Sequence, residues 1–231
     1  MPEQSIRIAS YNIRKAWGLD QRRDPQRTLS VINSLNADIV VLQEADKRFG
    51  QRPAALPHAL IREESDFAIA EVARNDVSLG WHGNAVLFRD GLKVDQVDHI
   101  CLPGLEPRGA VSIKISGDIS LTVVAVHLAL RRRDRIKQLD VLERQNDPET
   151  ATVFAGDFNA WARRMGNPAF ESRFMTVAPG HSFHASRPLA GLDRFATSRH
   201  IKITDAGVLE TQLAQRASDH LPIWAELHIS R

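Results

Sequence analysis

The segment SLTVVAVHL, residues 120–128, is apolar at both of its alternating sets of positions and contains three valines. β-Branched residues favour strands, and successive side chains of a strand point to opposite faces of its sheet. A strand that is apolar on both alternations is expected to be buried on both faces. The segment therefore predicts a strand with a packed layer on each side.

The two segments that follow it predict a helix and another strand. RRRDRIKQLDVLERQ, residues 131–145, has Ile136, Leu139 and Leu142 at helical spacing, so this face is expected to point inward. ATVFAGD, residues 151–157, has the pattern of a short buried strand that ends in a carboxylate. We expect this strand to lie near the first one.

The rest of the chain adds many strands and few helices. A helix is predicted over 24–35, with Leu29, Ile32 and Leu35 on one face. Further strand patterns are SIRIASYNI (5–13), ADIVVLQEAD (37–46), FAIAEVA (67–73), GNAVLFR (83–89), LKVDQVDHICL (92–102), GAVSIKI (109–115) and LPIWAELHI (221–229). The last alternates as an edge or outer strand would. Many strands with two or three helices disfavour a doubly wound sheet and favour two packed sheets with helices outside, in one domain, 1–231.

Composition excludes some classes of function. The chain has 30 Lys and Arg against 28 Asp and Glu, a net charge of +2, which argues against tight sequence-independent duplex binding. The single cysteine, Cys101, allows no internal disulfide, fits a reducing compartment and is expected to pack inside. No segment has the apolar length of a signal peptide or a membrane span, so we expect a cytoplasmic protein without stable membrane insertion.

Polar residues stand at the ends or breaks of the predicted strands. They are Asn12, Glu44, His127, Asp157, Asn159, Asp193, Asp219 and His220. Each one alone fits a turn, a helix cap or a hydrogen-bonded core position. Together they suit phosphodiester hydrolysis, which needs neutralised phosphate charge, a base for water and an acid for the leaving oxygen. Carboxylates such as Glu44 suit Mg²⁺, Asp157 suits the base, and Asp193 or Asp219 could orient His220.

The order of seven motifs strengthens this interpretation. SYNIR, VVLQEAD, GNAVLF, VVAVHL, AGDFNA, LDRF and SDHLPI follow one another from about Arg7 to Trp224. In this order they resemble the endonuclease/exonuclease/phosphatase superfamily, the Mg²⁺-dependent phosphoesterases related to DNase I. The resemblance implies an α/β/β/α sandwich of four layers, with two packed mixed sheets between helices and the site at one rim.

The resemblance also implies a role for each motif residue. Asn12 corresponds to a residue beside phosphate and metal, Glu44 to the principal metal ligand, and Asp219 to a further carboxylate on the metal side. His127 corresponds to a phosphate-binding histidine and Asn159 to a donor in the transition state. Asp157 would orient or deprotonate water, and Asp193 would support the catalytic His220. The implied cofactor is Mg²⁺, with Mn²⁺ as an alternative.

Other residues have two interpretations from sequence alone. Arg108, Arg14 and Lys15 are candidates for substrate contacts or ordinary exposed cations. The arginines at 131–133 begin a helix with charges unfavourable to its dipole, so they are either solvated or face an anion. Trp161 follows Asn159 closely enough to line the pocket, although packing is the commoner role.

The substrate is less constrained than the chemistry. LDRF stands where the abasic-site endonucleases carry a WRIDY-like segment, which disfavours an abasic-DNA role. We expect a metal-dependent phosphodiesterase, a DNase I-like nuclease first, with nucleic acid slightly ahead of phospholipid head groups or small diesters. A phospholipid or small-molecule phosphodiesterase or phosphatase is the alternative. A binding module that kept only the fold is remote, since none of the catalytic set is lost. The oligomeric state stays open.

Overall fold

The computed structural model describes residues 5–117, 119–147 and 149–230; residues 1–4, 118, 148 and 231 of the predicted domain lie outside them. The described strands are β1 Ser5–Asn12, β2 Ile39–Gln43, β3 Phe67–Ile69, β4 Ala85–Arg89, β5 Lys93–Leu102, β6 Arg108–Ser116, β7 Leu121–His127, β8 Thr152–Asp157, β9 Met175–Val177, β10 Asp193–Thr197, β11 Ile201–Val208 and β12 Ile223–Ile229. The described helices are α1 Pro25–Ser34, α2 His58–Glu64, α3 Arg132–Gln145, α4 Pro168–Arg173 and α5 Gln212–Ala217.

The strands form two mixed sheets of six. The first has the order β11-β12-β1-β2-β4-β3 and the second the order β5-β6-β7-β8-β10-β9. In each sheet one central pair is parallel, β1 with β2 and β7 with β8, and the other neighbours are antiparallel. A parallel pair needs a crossover, and α1 and α3 lie in these two connections.

Three apolar clusters separate the four layers. Val123 and Ala125 of β7 belong to the cluster that also contains apolar residues of β1 and β2, between the sheets. Val124 and Val126 belong to the cluster shared with α3 and α4, on the outside of the second sheet. A third cluster packs α1 and α5 against the first sheet. Burial of β7 on both faces is thus confirmed, and so is the α/β/β/α sandwich of four layers.

Two predictions about the elements are wrong. β12 is not an edge strand, because it lies between β11 and β1. It alternates because Ile223, Ala225 and Leu227 enter the core between the sheets, while the outer face is only partly covered. The described residues also form five helices rather than two or three, because α2, α4 and α5 are only six or seven residues long. Such helices are too short for a periodic apolar pattern.

The predicted inward faces and packing sites are right only in part. Leu139 and Leu142 of α3 are buried, but Ile136 is half-buried and Arg135 is buried in its place. Arg135 donates to the carbonyl oxygens of Ala129 and Leu130, at 3.1 and 2.7 Å, and so holds the loop that follows His127. Cys101 is exposed on the edge strand β5, so the expectation that it packs inside is wrong. No helix of the described chain is both long and apolar enough to cross a bilayer.

Candidate active site

Strand register brings three of the predicted site residues into one row. In the second sheet, Asp157 at the end of β8 is paired with His127 of the parallel β7. On its other side, Asp157 is paired with Asp193, the first residue of the antiparallel β10. Each side chain is at most 7% exposed. The three groups therefore lie side by side at one rim of the sheet.

The first sheet supplies its residues at the same rim. Asn12 ends β1 and is paired with Gln43, the last residue of β2, so Glu44 directly follows this row. The side-chain amide of Asn12 donates to Oδ2 of Asp157 at 3.2 Å, which joins the two sheets through a buried hydrogen bond. Glu44 has a φ of 53°, in the left-handed region that non-glycine residues rarely adopt. Such strain is concentrated at functional sites.

His220 reaches this rim from the loop between α5 and β12. Its Nδ1 lies 2.8 Å from Oδ2 of Asp193, and its Nε2 lies 3.7 Å from Oδ2 of Asp157. The preceding Ser218 hydroxyl donates to the backbone carbonyl of Asn12 at 2.7 Å, which ties the loop to β1. Of the two carboxylates predicted to orient His220, Asp193 is the one that contacts it in the structure. Asp219 pairs with Arg14 instead.

The carboxylate of Asp157 is the centre of the buried group. Its Oδ2 accepts from Asn12 and lies 3.4 Å from Nε2 of His127, and its Oδ1 accepts the backbone N–H of Asn159 at 2.9 Å. Burial is the largest influence on its pKa and raises it to about 6, with the charge of His220 opposing and that of Asp193 adding. The Asp157 carboxylate is therefore largely ionised at neutral pH and still basic enough to accept a proton.

The two histidines have opposite charge states. Burial alone would lower the pKa of His220, but the charges of Asp193 and Asp157 outweigh burial and raise it to about 10. His220 is thus protonated at neutral pH. For His127, burial and the positive charges of Arg108 and His220 lower the pKa well below its usual value, so this ring is neutral. One histidine can release a proton, and the other can donate a hydrogen bond without adding charge.

Asn159 is fixed beside the same carboxylate. Its φ is 51°, and its side-chain amide donates one hydrogen to the carbonyl oxygen of Leu128 at 2.9 Å. Within the described part of the chain, the second amide hydrogen has no hydrogen-bond partner. An amide carries two donor hydrogens, so this one is available to a substrate oxygen.

The metal-side residues form two ion pairs at the mouth of the site. Glu44 is paired with the ammonium of Lys15, and Asp219 lies 3.5 Å from Nε of Arg14. Glu44 and Lys15 line a cleft of about 390 Å³ together with His127 and Arg108. Arg108 also pairs with Glu106 at 2.9 Å. The cleft thus contains the predicted principal metal ligand and the predicted phosphate-binding histidine.

The donor set at this mouth fits a hard divalent ion. Glu44 and Asp219 have partly exposed carboxylates, and Oδ1 of Asn12 accepts only the backbone N–H of Arg14, at 3.1 Å. A carbonyl oxygen has a second lone pair, and Mg²⁺ prefers oxygen ligands with water completing its shell. Both carboxylates already have a cationic partner, Lys15 for Glu44 and Arg14 for Asp219, which an incoming metal ion would replace.

A second group of potential ligands is the buried one. Ligand atoms of Asp157, Asp193 and His220 lie within 4.8 Å of one another. In this group, however, a protonated His220 already offsets one of the two negative charges, through a 2.8 Å contact with Asp193. An ion would have to displace that proton, whereas Glu44 is reached directly from the cleft. The buried group therefore suits acid–base chemistry better than metal binding.

Several contributors to the site carry no signal in the sequence. The Ser182 hydroxyl donates to Oδ2 of Asp193, the oxygen that also contacts His220. Arg194 is buried and donates to the carbonyl oxygens of Gly191, Ala160, Ala162 and Arg163, which fixes the segment after Asn159. Ser182 lies in an irregular loop. Arg194 follows Asp193 in the sequence, but no spacing in the sequence indicates which carbonyl oxygens it binds.

Trp161 lies on this fixed segment and is largely exposed. Its side chain is 67% exposed, and its ring centroid is 6.0 Å from that of Phe183. The Phe183 ring is in turn 4.9 Å from the ring of His220. Trp161 also lines a cleft of about 520 Å³ with Leu189 and other residues. Core packing does not fit this exposure, and the cleft that Trp161 lines is separate from the one that contains Glu44 and His127.

Fold and site together define a phosphoesterase scaffold, and comparison with known proteins identifies the family. The protein-family model described as "Endonuclease/Exonuclease/phosphatase family" matches residues 9–220, so the chain belongs to this family. Its members hydrolyse phosphoesters and typically depend on a divalent metal. The resemblance inferred from the seven motifs is confirmed.

Among individual proteins, the chain is similar to uncharacterized protein YbhP of Escherichia coli (strain K12), with 29% identity over 99% of this chain and 100% of YbhP. It also resembles solved structures at low identity. TDP2 of D. rerio, complexed with a single strand DNA product, gives 16% identity and a TM-score of 0.71 over 98% of this chain and 100% of that chain. The mannosyl-6-phosphatase Bt3783 of Bacteroides thetaiotaomicron gives 17% identity and a TM-score of 0.75, over 96% of this chain and 99% of that chain. These likenesses show a shared fold.

Proposed function

We propose that the chain is a divalent-metal-dependent phosphodiesterase, with Mg²⁺ as the cofactor and Mn²⁺ as an alternative. The observation that carries the proposal is the buried Asp157 carboxylate, held between the amide of Asn12 and the rings of His127 and His220. A base, an acid and phosphate donors thus meet within one hydrogen-bonded group. The remaining requirement is a divalent cation, which the carboxylate of Glu44 in the adjoining cleft would hold.

The reaction follows from these charge states. Ionised Asp157 accepts a proton from the attacking water as the water oxygen bonds to phosphorus. The bond from phosphorus to the leaving oxygen breaks, and protonated His220 gives that oxygen its proton. Neutral His127 and the free amide hydrogen of Asn159 donate to the non-bridging oxygens. Asp193 keeps the ring of His220 oriented and charged.

The metal-side residues complete the charge balance. We assign Glu44 as the principal metal ligand, with Asn12 and Asp219 contributing oxygen atoms. A divalent ion bound there supplies neutralisation of phosphate charge. Arg108 lines the cleft, and Arg14 directly precedes the lining residue Lys15, so we assign both to binding of substrate phosphate; Arg14 would be released from Asp219 if that carboxylate turned to an ion.

Nucleic acid is the first substrate candidate. It rests on the DNase I-like motifs and is supported by the exposed ring of Trp161, since single-stranded nucleic acids stack their bases on such rings beside cationic grooves. TDP2, whose fold is shared, was solved with a single strand DNA product. We propose that this nuclease is a single domain, 1–231, and that it acts in the cytoplasm.

A phospholipid head group or small diester is the second candidate, and one observation favours it. Phe49 and Leu130 are largely exposed and line the same cleft as Glu44 and His127. Apolar side chains at the mouth of a phosphate site suit a substrate that has an apolar portion. A phosphomonoester is a further alternative, because Bt3783 of the same fold is a mannosyl-6-phosphatase.

Hydrolysis by the purified chain tests the proposal. The substrates would be plasmid DNA, single-stranded DNA, RNA, a chromogenic diester, a phosphomonoester and phospholipid vesicles, each with Mg²⁺, Mn²⁺ or chelator. We expect metal-dependent cleavage of a diester that is lost in His220→Ala and kept in His228→Ala, a histidine on the outer part of β12. Activity only on the monoester, or cleavage that persists in chelator, would contradict the assignment.

A further inference from the structure

Three apolar side chains protrude from three loops on the same side of the molecule. Phe49 is 84% exposed, Leu105 73% and Leu130 65%. They lie after β2, between β5 and β6, and after β7 respectively. Isolated exposed apolar residues are ordinary, but a group of them around one opening indicates an interaction surface. We call these three residues the apolar rim.

Two residues of the apolar rim line the mouth of the candidate site, and the third is the chain neighbour of a lining residue. Phe49 and Leu130 both line the cleft that contains Glu44. Leu105 directly precedes Glu106, which lines the same cleft and lies 3.9 Å from Nη2 of Arg48. The three tips therefore belong to one face rather than to separate parts of the surface.

The same face is rich in cations. Phe49 also lines a neighbouring cleft of about 410 Å³, whose charged lining residues, Lys15, Arg23, Lys47 and Arg48, are all cationic. On the other side, Leu130 is followed by three exposed arginines at 131–133. Within the described residues, Lys47 and these three arginines have no carboxylate partner at ion-pair distance. Their charges are available to an external anion.

The chemistry of the rim selects between two classes of partner. Surfaces for single-stranded nucleic acid combine cations with aromatic platforms, but two of the three tips here are leucines, which offer no ring for stacking. Apolar tips flanked by Lys and Arg are typical of proteins that bind at the interface of an anionic bilayer. The combination therefore favours a lipid surface.

We propose that the apolar rim docks the protein on an anionic lipid bilayer, with Phe49, Leu105 and Leu130 entering the boundary between head groups and acyl chains. Lys47, Arg48 and the arginines at 131–133 contact the head-group phosphates. In the docked form the mouth of the Glu44 cleft faces the lipid head groups, which suits the second substrate candidate, a phospholipid, and not nucleic acid. The proposal concerns binding, so it goes beyond the phosphodiesterase activity and does not depend on it.

Co-sedimentation of the full chain with vesicles tests the docking. We expect binding to vesicles of phosphatidylcholine and phosphatidylglycerol in equal parts, much weaker binding to phosphatidylcholine alone, and loss of binding at high salt. Phe49→Ser should weaken binding by about tenfold, and Lys47→Glu by about fivefold. Phe49→Trp should restore binding. The matched control is Leu189→Ser, because Leu189 is 69% exposed but lines the separate cleft beside Trp161.

The result that overturns the proposal is equally specific. Failure to sediment with the anionic vesicles, or equal loss in Phe49→Ser and Leu189→Ser, would exclude the apolar rim as a membrane surface. Binding of a single-stranded DNA oligomer that depends on Phe49, without vesicle binding, would assign the face to nucleic acid instead. Since Phe49 is exposed, Phe49→Ser should keep the wild-type melting temperature, and this is measured alongside.

Discussion

The two sides of the candidate site differ in how far water reaches them. In the group around Asp157, at the rim of the second sheet, the side chains of Asp157 and Asp193 are 2% and 0% exposed, and that of His220, which comes from the loop before β12, is 7% exposed. On the first sheet, the side chains of Glu44 and Lys15 are 27% and 29% exposed. Charges interact strongly where water is excluded and weakly where it screens them.

This difference in exposure suits two different roles, acid–base chemistry on the buried side and binding of ion and substrate on the exposed side. The buried side holds groups with fixed partners and strongly shifted pKa values, as a base and an acid require. The exposed side has ion pairs that an incoming ion or phosphate can replace at small cost, because exposed pairs contribute little to stability. Changes on the buried side should therefore affect turnover most, and changes on the exposed side should affect ion and substrate binding.

The largest effect is expected from removing the base. Asp157→Asn keeps the shape of the side chain but cannot accept the proton of water, so kcat should fall by about 10³-fold. The matched control is Asp205→Asn, an exposed position on β11. A kcat within a few-fold of the wild type in Asp157→Asn would show that another group is the base.

A smaller effect on rate, with a change in pH dependence, is expected for Asp193→Asn. In the wild type, activity should rise as Asp157 loses its proton, near pH 6, and fall as His220 loses its proton, near pH 10. Without the Asp193 charge, the pKa of His220 falls, so the alkaline limb should move to lower pH. We expect kcat to drop by about 10²-fold at neutral pH.

The pH–rate profile distinguishes this role from a purely structural one. A reduced rate with an unmoved alkaline limb would mean that Asp193 only supports the fold. Thr197→Val, at the far end of the same strand, is the control for local packing and should leave both limbs in place.

The positive charge of buried His220 should also make the stability of the folded protein depend on pH. The pKa of His220 is raised from 6.5 in the unfolded chain to about 10 in the folded chain. Its contribution to stability is therefore fully present below pH 6.5 and is lost as pH rises through about 10. Between these values the melting temperature of the wild type should fall by about 10 °C more than that of His220→Gln. Parallel melting curves against pH would show that His220 is not charged in the folded protein.

The smallest effect is expected on the exposed side. Lys15→Met removes the ammonium that competes with an ion for Glu44, so Mg²⁺ affinity should rise by about threefold. Calorimetric titration with Mg²⁺ measures it. Lys47→Met, a cation near the same loop without a described carboxylate partner, should change affinity less. Weaker Mg²⁺ binding in Lys15→Met would contradict competition at Glu44.

The arrangement of strands can be predicted from the sequence because a buried strand has a recognisable pattern of apolar residues. β7 alternates apolar residues on both faces and is buried on both, and the polar residues that end β1 and β8 meet because register aligns strand ends. Irregular segments leave no such pattern. Ser182 reaches Asp193 from a loop, and Arg194 finds four carbonyl oxygens that are set only by the folded path of the chain. The position of β12 also depends on pairing partners rather than on its own alternation.

Mg²⁺ titration by calorimetry of the wild type, Glu44→Gln and His220→Gln tests the division between the two sides most directly. With the metal at Glu44, Glu44→Gln should weaken Mg²⁺ binding by about tenfold or more. His220→Gln should bind Mg²⁺ as the wild type does while losing turnover. Wild-type affinity in Glu44→Gln, together with altered affinity in His220→Gln, would place the ion in the buried group of Asp157, Asp193 and His220 and would contradict the account.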